Sequence, residues 1–247
     1  MSNLSIPRKL SHIWVGPLEP PLPWMGTWRE KHPEWDYRLY GNDDLENTQF
    51  RTRAQMEEYL KRGNYPGVAD LMRYEILYEN GGFIAAADSI CLANTDELFV
   101  SGEAFTVYEN EFLRGELVSP VLACKPKNPF VGQIIDVLAD TDPGLLLEPW
   151  KSTGNKFVAE MIERYQPDIT VFPSYTFIPV HFDGRAYDGP GKVYAKQFFG
   201  ATRAAYERPK LGFLKRLMAA RDRHQQKSYR RGAAKRAKAI RNQAFGN

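Results

Sequence analysis

The chain has 247 residues, of which 43% are hydrophobic, 13% aromatic and 26% charged, with 17 Pro and 19 Gly and no fixed period. This is the composition of one soluble globular domain with a sizeable core, and it excludes wholesale disorder, collagen-like and coiled-coil chains, and short-repeat arrays. The net charge of +3 divides unevenly: residues 208–247 hold 13 Lys/Arg against the single acid Asp222, so an acidic body of −9 precedes a basic tail of +12. No apolar run is long enough to cross a bilayer, and the start Met1-Ser2-Asn3-Leu4-Ser5-Ile6-Pro7-Arg8 has no secretory pattern. Cytoplasmic folding is the expectation. Cys91 and Cys124 lack any metal or disulfide spacing and read as buried free thiols.

In chain order, Lys9 to Val15 reads as a buried strand stopped by Gly16-Pro17. Trp24 to Lys31 reads as a short helix and Asp36 to Tyr40 as a second strand; strand, helix, strand predicts a parallel pair with a crossover. A helix is predicted over 52–62, and Gly63 to Gly67 breaks the pattern before a second helix, Val68 to Glu79. On that helix Val68, Leu71, Met72, Glu75 and Ile76 share one stripe, and Asp70, Arg73 and Leu77 share another. Asn80-Gly81-Gly82 ends it with left-handed residues, and Phe83 to Asp88 reads as a strand delivering its last residues to a sheet edge, where ligands of α/β proteins bind. Further strands are predicted at 104–108, 118–123 and 169–172, helices at 129–139 and 153–165, and a loop-rich passage from Phe172 to His181. From Pro209 a stripe of Leu211, Leu214, Leu217 and Met218 predicts a basic helical extension.

No nucleotide P-loop, GxGxxG turn, GxSxG elbow or HExxH helix is present, so several common enzyme classes drop out. The informative stretch is 69–88: a helix presenting Asp70 and Arg73, a Gly-Gly turn and a strand ending in an acid place hydrogen-bonding groups and a metal-binding carboxylate together. Spacing alone favours a plainer alternative, a surface i,i+3 ion pair and an ordinary strand-end Asp. Among the histidines, His12, His32, His181 and His224, no pair has metal spacing; His181 with Asp183 is the one site-like combination, and a loop hydrogen bond is its favoured role.

The segment Ala69-Asp70-Leu71-Met72-Arg73-Tyr74-Glu75-Ile76-Leu77-Tyr78-Glu79-Asn80-Gly81-Gly82-Phe83-Ile84 resembles the signature of glycosyltransferases with a DXD sugar-binding motif, of the family 32 type. The opening Ile6 to Gly16 resembles that family's first strand, as does Trp28 to Leu39, so the resemblance spans about the first hundred residues in order. It departs where the family has Asp-x-Asp: this chain has Ala86-Ala87-Asp88. The missing first acid is either an exchange made to disable the enzyme or a naturally degenerate site. In the family these acids hold Mn2+ or Mg2+ against the diphosphate of a nucleotide-sugar, as suits hard cations and oxygen ligands, and one carboxylate should hold the cation less well.

The resemblance implies a GT-A fold, a Rossmann-like mixed sheet flanked by helices, over residues 1–207, followed by the basic helical tail 208–247. It implies a retaining hexosyltransferase that moves a sugar from a nucleotide-diphospho-sugar to a hydroxyl of a glycan, lipid-linked or protein acceptor, in a form impaired by Ala86. Asp88 is then the remaining metal ligand, Asp70 and Arg73 hold the donor, and Trp14 lies against the base. Ile84 stands where the family often has Tyr, Thr153-Gly154 resembles a downstream Thr-Gly-Pro turn with Asn155 departing from it, and Tyr194 to Gly200 sits where many members have a His and a Trp, leaving Lys196 or Gln197 as candidates to reach the diphosphate. The tail suits an anionic membrane surface or an acidic partner, and its sparse aromatics, Phe213, Tyr229 and Phe245, argue against specific nucleic-acid reading. The competing class is a noncatalytic nucleotide- or glycan-binding module.

Overall fold

The computed structural model describes residues 3–112 and 114–199; the predicted tail helix lies outside the described residues. Strand β1 (Lys9–Ile13) is followed by helix α1 (Leu22–Lys31) and strand β2 (Asp36–Tyr40), and β1 pairs β2 in parallel with Lys9 opposite Asp36 and Ile13 opposite Tyr40. The crossover predicted from strand, helix and strand is therefore present. Short α2 (Asn42–Asn47) and α3 (Arg53–Lys61) lead to the long α4 (Tyr65–Asn80) and then β3 (Gly82–Ile84), which pairs β1 in parallel on its other side.

Helix α4 begins earlier than the sequence suggests, at Tyr65. Pro66 sits in its first turn, where no backbone donor is needed, and Gly67 lies against the Tyr59 ring, so two residues that read as breakers are helical. Glu75, out of place on an apolar stripe, is buried because its carboxylate accepts from Arg51 N at 2.8 Å, Thr52 N at 2.9 Å and Thr52 Oγ1 at 2.6 Å, fastening the start of α3 to α4. The helix ends as expected. Gly81 and Gly82 have φ of 61° and 90°, and a Cβ on Gly82 would meet the Lys9 carbonyl oxygen at 2.5 Å.

Past β3 come β4 (Ser89–Cys91), β5 (Ala104–Val107), β6 (Ala123–Cys124), α5 (Pro129–Asp140), α6 (Pro149–Ser152), α7 (Asn155–Tyr165), β7 (Thr170–Phe172) and β8 (Ala195–Gln197). The main sheet has the order β2-β1-β3-β6-β5-β7, with β6 antiparallel to both neighbours, and β4 and β8 form a separate ribbon. Three predicted elements differ in extent. The strand expected over 83–88 stops at Ile84 and turns. The strand expected over 118–123 keeps only a bridge at Val118 and the two residues of β6, because Pro120 has no N–H to give to a ladder. The helix expected over 153–165 starts two residues later, at Asn155, after the Thr153-Gly154 turn that parts it from α6.

Alternation along the strands sends Leu10, Phe83, Phe105 and Ala123 to one face and Ile13, Ile84, Ala104 and Cys124 to the other, so the sheet carries a core on each side. One core is aliphatic and helix-built, with Met56, Leu71, Ile134 and Met161; the other is aromatic, with Trp28, Trp35, Phe99 and Phe177. Cys91 and Cys124 are free and buried. No helix among the described residues is long and apolar enough to cross a membrane. The predicted architecture, a mixed sheet flanked by helices, is the observed one.

Candidate functional site

Strands β1, β3 and β5 run in the same direction, so the residues after each emerge at one edge of the sheet. They are Trp14-Val15 after β1, Ala85 to Asp88 after β3, and Tyr108-Glu109 after β5. Trp14, Val15, Ala85 to Asp88 and Glu109 line one cavity of about 890 Å³, which Asp70 and Arg73 of α4, Trp150 of α6, Asn155 of α7 and Gln197 of β8 close from the other elements. The size lies within the range of small-molecule sites, and the position is the strand-end crevice where open α/β sheets bind ligands.

All five residues singled out by the resemblance, Trp14, Asp70, Arg73, Ala86 and Asp88, are in this wall. Trp14 is fixed at both ends: its N–H donates to the Tyr40 carbonyl at 2.9 Å and its indole Nε1 to the Leu18 carbonyl at 2.6 Å, which ties the ring to the loop after β1. Asp70 accepts from Thr153 Oγ1 at 3.1 Å. Burial pushes its carboxyl up to about 7, against the opposing pull of the Arg73 charge and the Thr153 bond. Gly154 is needed beside it, since a Cβ there would stand 2.9 Å from Asp70 Oδ2. The Thr153-Gly154 turn therefore has a concrete task in this structure: it receives Asp70.

Arg73 donates through Nη1 to the Ile84 carbonyl at 2.6 Å, while its buried Nε has no partner among the described residues. Burial lowers its proton affinity, offset by the charges of Asp70 and Asp88, and the guanidinium remains the cation of the site. The plain alternative of a surface ion pair does not hold: Asp70 and Arg73 lie on the cavity, each bonded to a different part of the chain, and act on each other through charge. Close by, buried His12 has its ring Nδ1 3.1 Å from Tyr37 Oη, and burial together with the Arg73 charge brings its pKa down to about 3, so the imidazole is neutral.

The Ala85 to Asp88 turn keeps its shape through Ser89, whose N–H and Oγ both donate to the Ala86 carbonyl, at 3.2 and 2.7 Å, and through the Asp88 carbonyl, which accepts from Phe198 N at 2.8 Å. Side chains at 86 and 87 take no part in these bonds. Among the described residues no group of three His, Cys, Asp or Glu side chains comes together. Of the turn itself, only the Asp88 carboxylate could hold a divalent cation, beside oxygens supplied by a phosphate ligand.

Glu109 is the residue that the sequence did not flag. Its Oε1 accepts from Ser119 Oγ at 2.7 Å and from Asn155 Nδ2 at 2.6 Å, and burial with the nearby Asp88 charge raises its proton affinity against those two bonds. Its position at the end of a parallel strand was the available signal; its partners, 10 and 46 residues away, left none. Asn155, a departure from the family turn, is one of those partners. Gln197 reaches the cavity, whereas Lys196 is exposed and lies over the Phe198 ring. His181 does not engage Asp183, which pairs with Arg185; its ring faces the Glu109 carbonyl at 3.4 Å.

A strand-edge cavity with a Trp, a buried Arg and convergent carboxylates defines a ligand-binding α/β domain, and the comparisons narrow the class. Residues 24–104 match the family model of the glycosyltransferase sugar-binding region containing a DXD motif. Among solved structures the chain is similar to the PaToxG glycosyltransferase, with a TM-score of 0.54 at 14% identity, over 64% of this chain and 69% of that one. No curated protein matches the chain. The chain therefore carries a glycosyltransferase-like sugar-binding region on a glycosyltransferase-like fold. The matched segment contains Asp70, Arg73 and the Ala86 to Asp88 turn, and leaves Trp14 before it and Glu109 after it.

Proposed function

We propose that this chain is a hexosyltransferase that uses a nucleotide-diphospho-sugar and passes the hexose, with retained configuration, to a hydroxyl of a glycan, lipid-linked or protein acceptor. The observation that carries this reading is the convergence of Trp14, Asp70, Arg73 and Asp88 on one strand-edge cavity. Trp14 supplies a face for the base, Arg73 a buried cation for phosphate oxygens, and Asp70 an acceptor for sugar hydroxyls. The acceptor oxygen forms its bond to C1 on the face from which the diphosphate oxygen departs, and that oxygen takes the acceptor's proton. Orientation and a prearranged positive charge then do most of the catalysis.

Asp88 would hold a Mn2+ or Mg2+ ion, which would supply charge neutralisation to the leaving group. With Ala86 in place of the motif's first acid, this chain is a weakened or inactive form. The catalytic unit spans residues 1–207, and the basic tail 208–247 serves to dock on an anionic membrane surface or an acidic partner. One observation, the single carboxylate of the turn, favours a second reading, a binding module that holds the donor without turnover.

The test is a mass-spectrometric screen of nucleotide-sugars with Mn2+, comparing the chain with its Ala86→Asp variant. Transfer or donor hydrolysis by the variant alone supports the transferase and identifies its donor. Donor binding without turnover in both forms supports the module. Absence of donor binding in both folded forms refutes the nucleotide-sugar reading.

A further inference from the structure

We infer that Glu109 recognises the hexose of the donor, its Oε2 engaging a sugar hydroxyl while Ser119 and Asn155 hold the other oxygen. This rests on the nucleotide-sugar reading above. The first argument is order along the sheet edge. Trp14 follows β1, the Asp88 turn follows β3, and Glu109 follows β5, with β6 between the last two. Strands lie about 4.8 Å apart, so the ends of β3 and β5 are separated by roughly 10 Å. A donor laid along this edge with its base on Trp14 and its diphosphate by Arg73 and Asp88 brings its sugar to the β5 end, since base, diphosphate and hexose are joined in that order.

The second argument is the carboxyl itself. Both protein bonds fall on Oε1, from donors on two different segments, and the residue lines the cavity. Ser119 is in turn fixed: its N–H donates to the Val107 carbonyl at 2.8 Å and its carbonyl accepts from Thr106 Oγ1 at 2.6 Å. A polar group oriented in this way inside a mostly apolar wall, here Val107, Leu117, Pro120, Phe177 and Ile178, is how a small-molecule site reads hydroxyl positions.

The experiment measures, by titration calorimetry on the full chain, the affinity for UDP and GDP and for UDP-glucose, UDP-galactose and GDP-mannose. Wild type binds one nucleotide-sugar more tightly than its free nucleotide. Glu109→Gln, which keeps size and an oxygen for Ser119 and Asn155, is expected to leave nucleotide affinity within twofold and to lower that nucleotide-sugar's affinity at least tenfold. Asn155→Ala, which frees the carboxyl to turn, is expected to give a smaller loss of the same kind and carries the test should Glu109→Gln unfold. A merely structural Glu109 predicts parallel losses for nucleotide and nucleotide-sugar, and that result, or no change at all, overturns the proposal. Wild type that binds neither nucleotide nor nucleotide-sugar overturns the donor reading itself, and this proposal with it.

Discussion

The two walls of the cavity are built differently. One comes from β1, α4 and the turn after β3, and its polar residues lie within a single stretch, Asp70 to Asp88, joined by a Gly-Gly turn. The other comes from β5, the passage before β6, and α7, and its three polar members, Glu109, Ser119 and Asn155, meet only because Pro120 ends one ladder and Gly154 separates α6 from α7. The first wall is a local unit that a linear motif can describe. The second is a tertiary construction, free to vary with the loops that make it, and it is the natural place for substrate choice to reside.

Substitutions can test that division. Arg73→Ala has the largest expected effect, because it removes the buried cation and leaves the Ile84 carbonyl without its donor. Affinity for free nucleotide and nucleotide-sugar should both fall by roughly 100-fold, and stability by about 2 kcal/mol, measured by calorimetry and denaturant unfolding. Retained nucleotide binding would remove Arg73 from the phosphate site.

Gly154→Val comes next. Its side chain would enter the space of Asp70 Oδ2, and overpacking of this kind costs about 1–3 kcal/mol. It joins the two walls at one residue, so it should lower stability and donor affinity together; a stable variant with unchanged binding would show that the junction is loose. Trp14→Ala is expected to weaken nucleotide and nucleotide-sugar alike by about tenfold, the size of one lost aromatic contact. An effect confined to the nucleotide-sugar would place the base elsewhere.

A pH dependence gives a further test. Asp70 has a value of about 7 in the folded chain against 3.8 as its ordinary value, so the folded state holds the proton more tightly. Its contribution to stability therefore falls as pH rises through that interval and returns as pH is lowered. His12, brought down to about 3, acts in the opposite sense below its ordinary 6.5, but it is present in wild type and in Asp70→Asn alike. Relative to Asp70→Asn, wild type should lose thermal stability as pH is raised from the ordinary carboxylate range towards 7, measured by thermal melts at a series of pH values. Parallel curves would mean that Asp70 is ionised throughout.

Legibility in the sequence follows the same division. The parallel pair β1 and β2, the buried strand β5, the edge strand β7 and helix α5 could be read because hydrophobic period and turn residues are local signals. Trp14, Asp70, Arg73 and Asp88 were singled out by the resemblance to a family signature, since spacing alone favoured a surface ion pair for Asp70 and Arg73 and an ordinary strand-end acid for Asp88. What could not be read depended on contacts across the chain. Pro66 and Gly67 look like breakers until the Tyr59 ring fills the space beside Gly67, and Glu75 looks misplaced until Arg51 and Thr52 present their N–H groups to it. Glu109 belongs to the same class, an acid whose meaning comes from Ser119 and Asn155.

The turn after β3 has an evolutionary corollary. Its backbone is pinned by Ser89 and Phe198, with nothing asked of the side chain at position 86. Alanine and aspartate codons can differ by a single nucleotide, so an acid can be lost or regained at this position in one mutational step without the fold having to be rebuilt. Under the transferase reading proposed above, a lineage carrying such a turn can exchange turnover for ligand binding alone while the backbone held by Ser89 and Phe198 keeps its course.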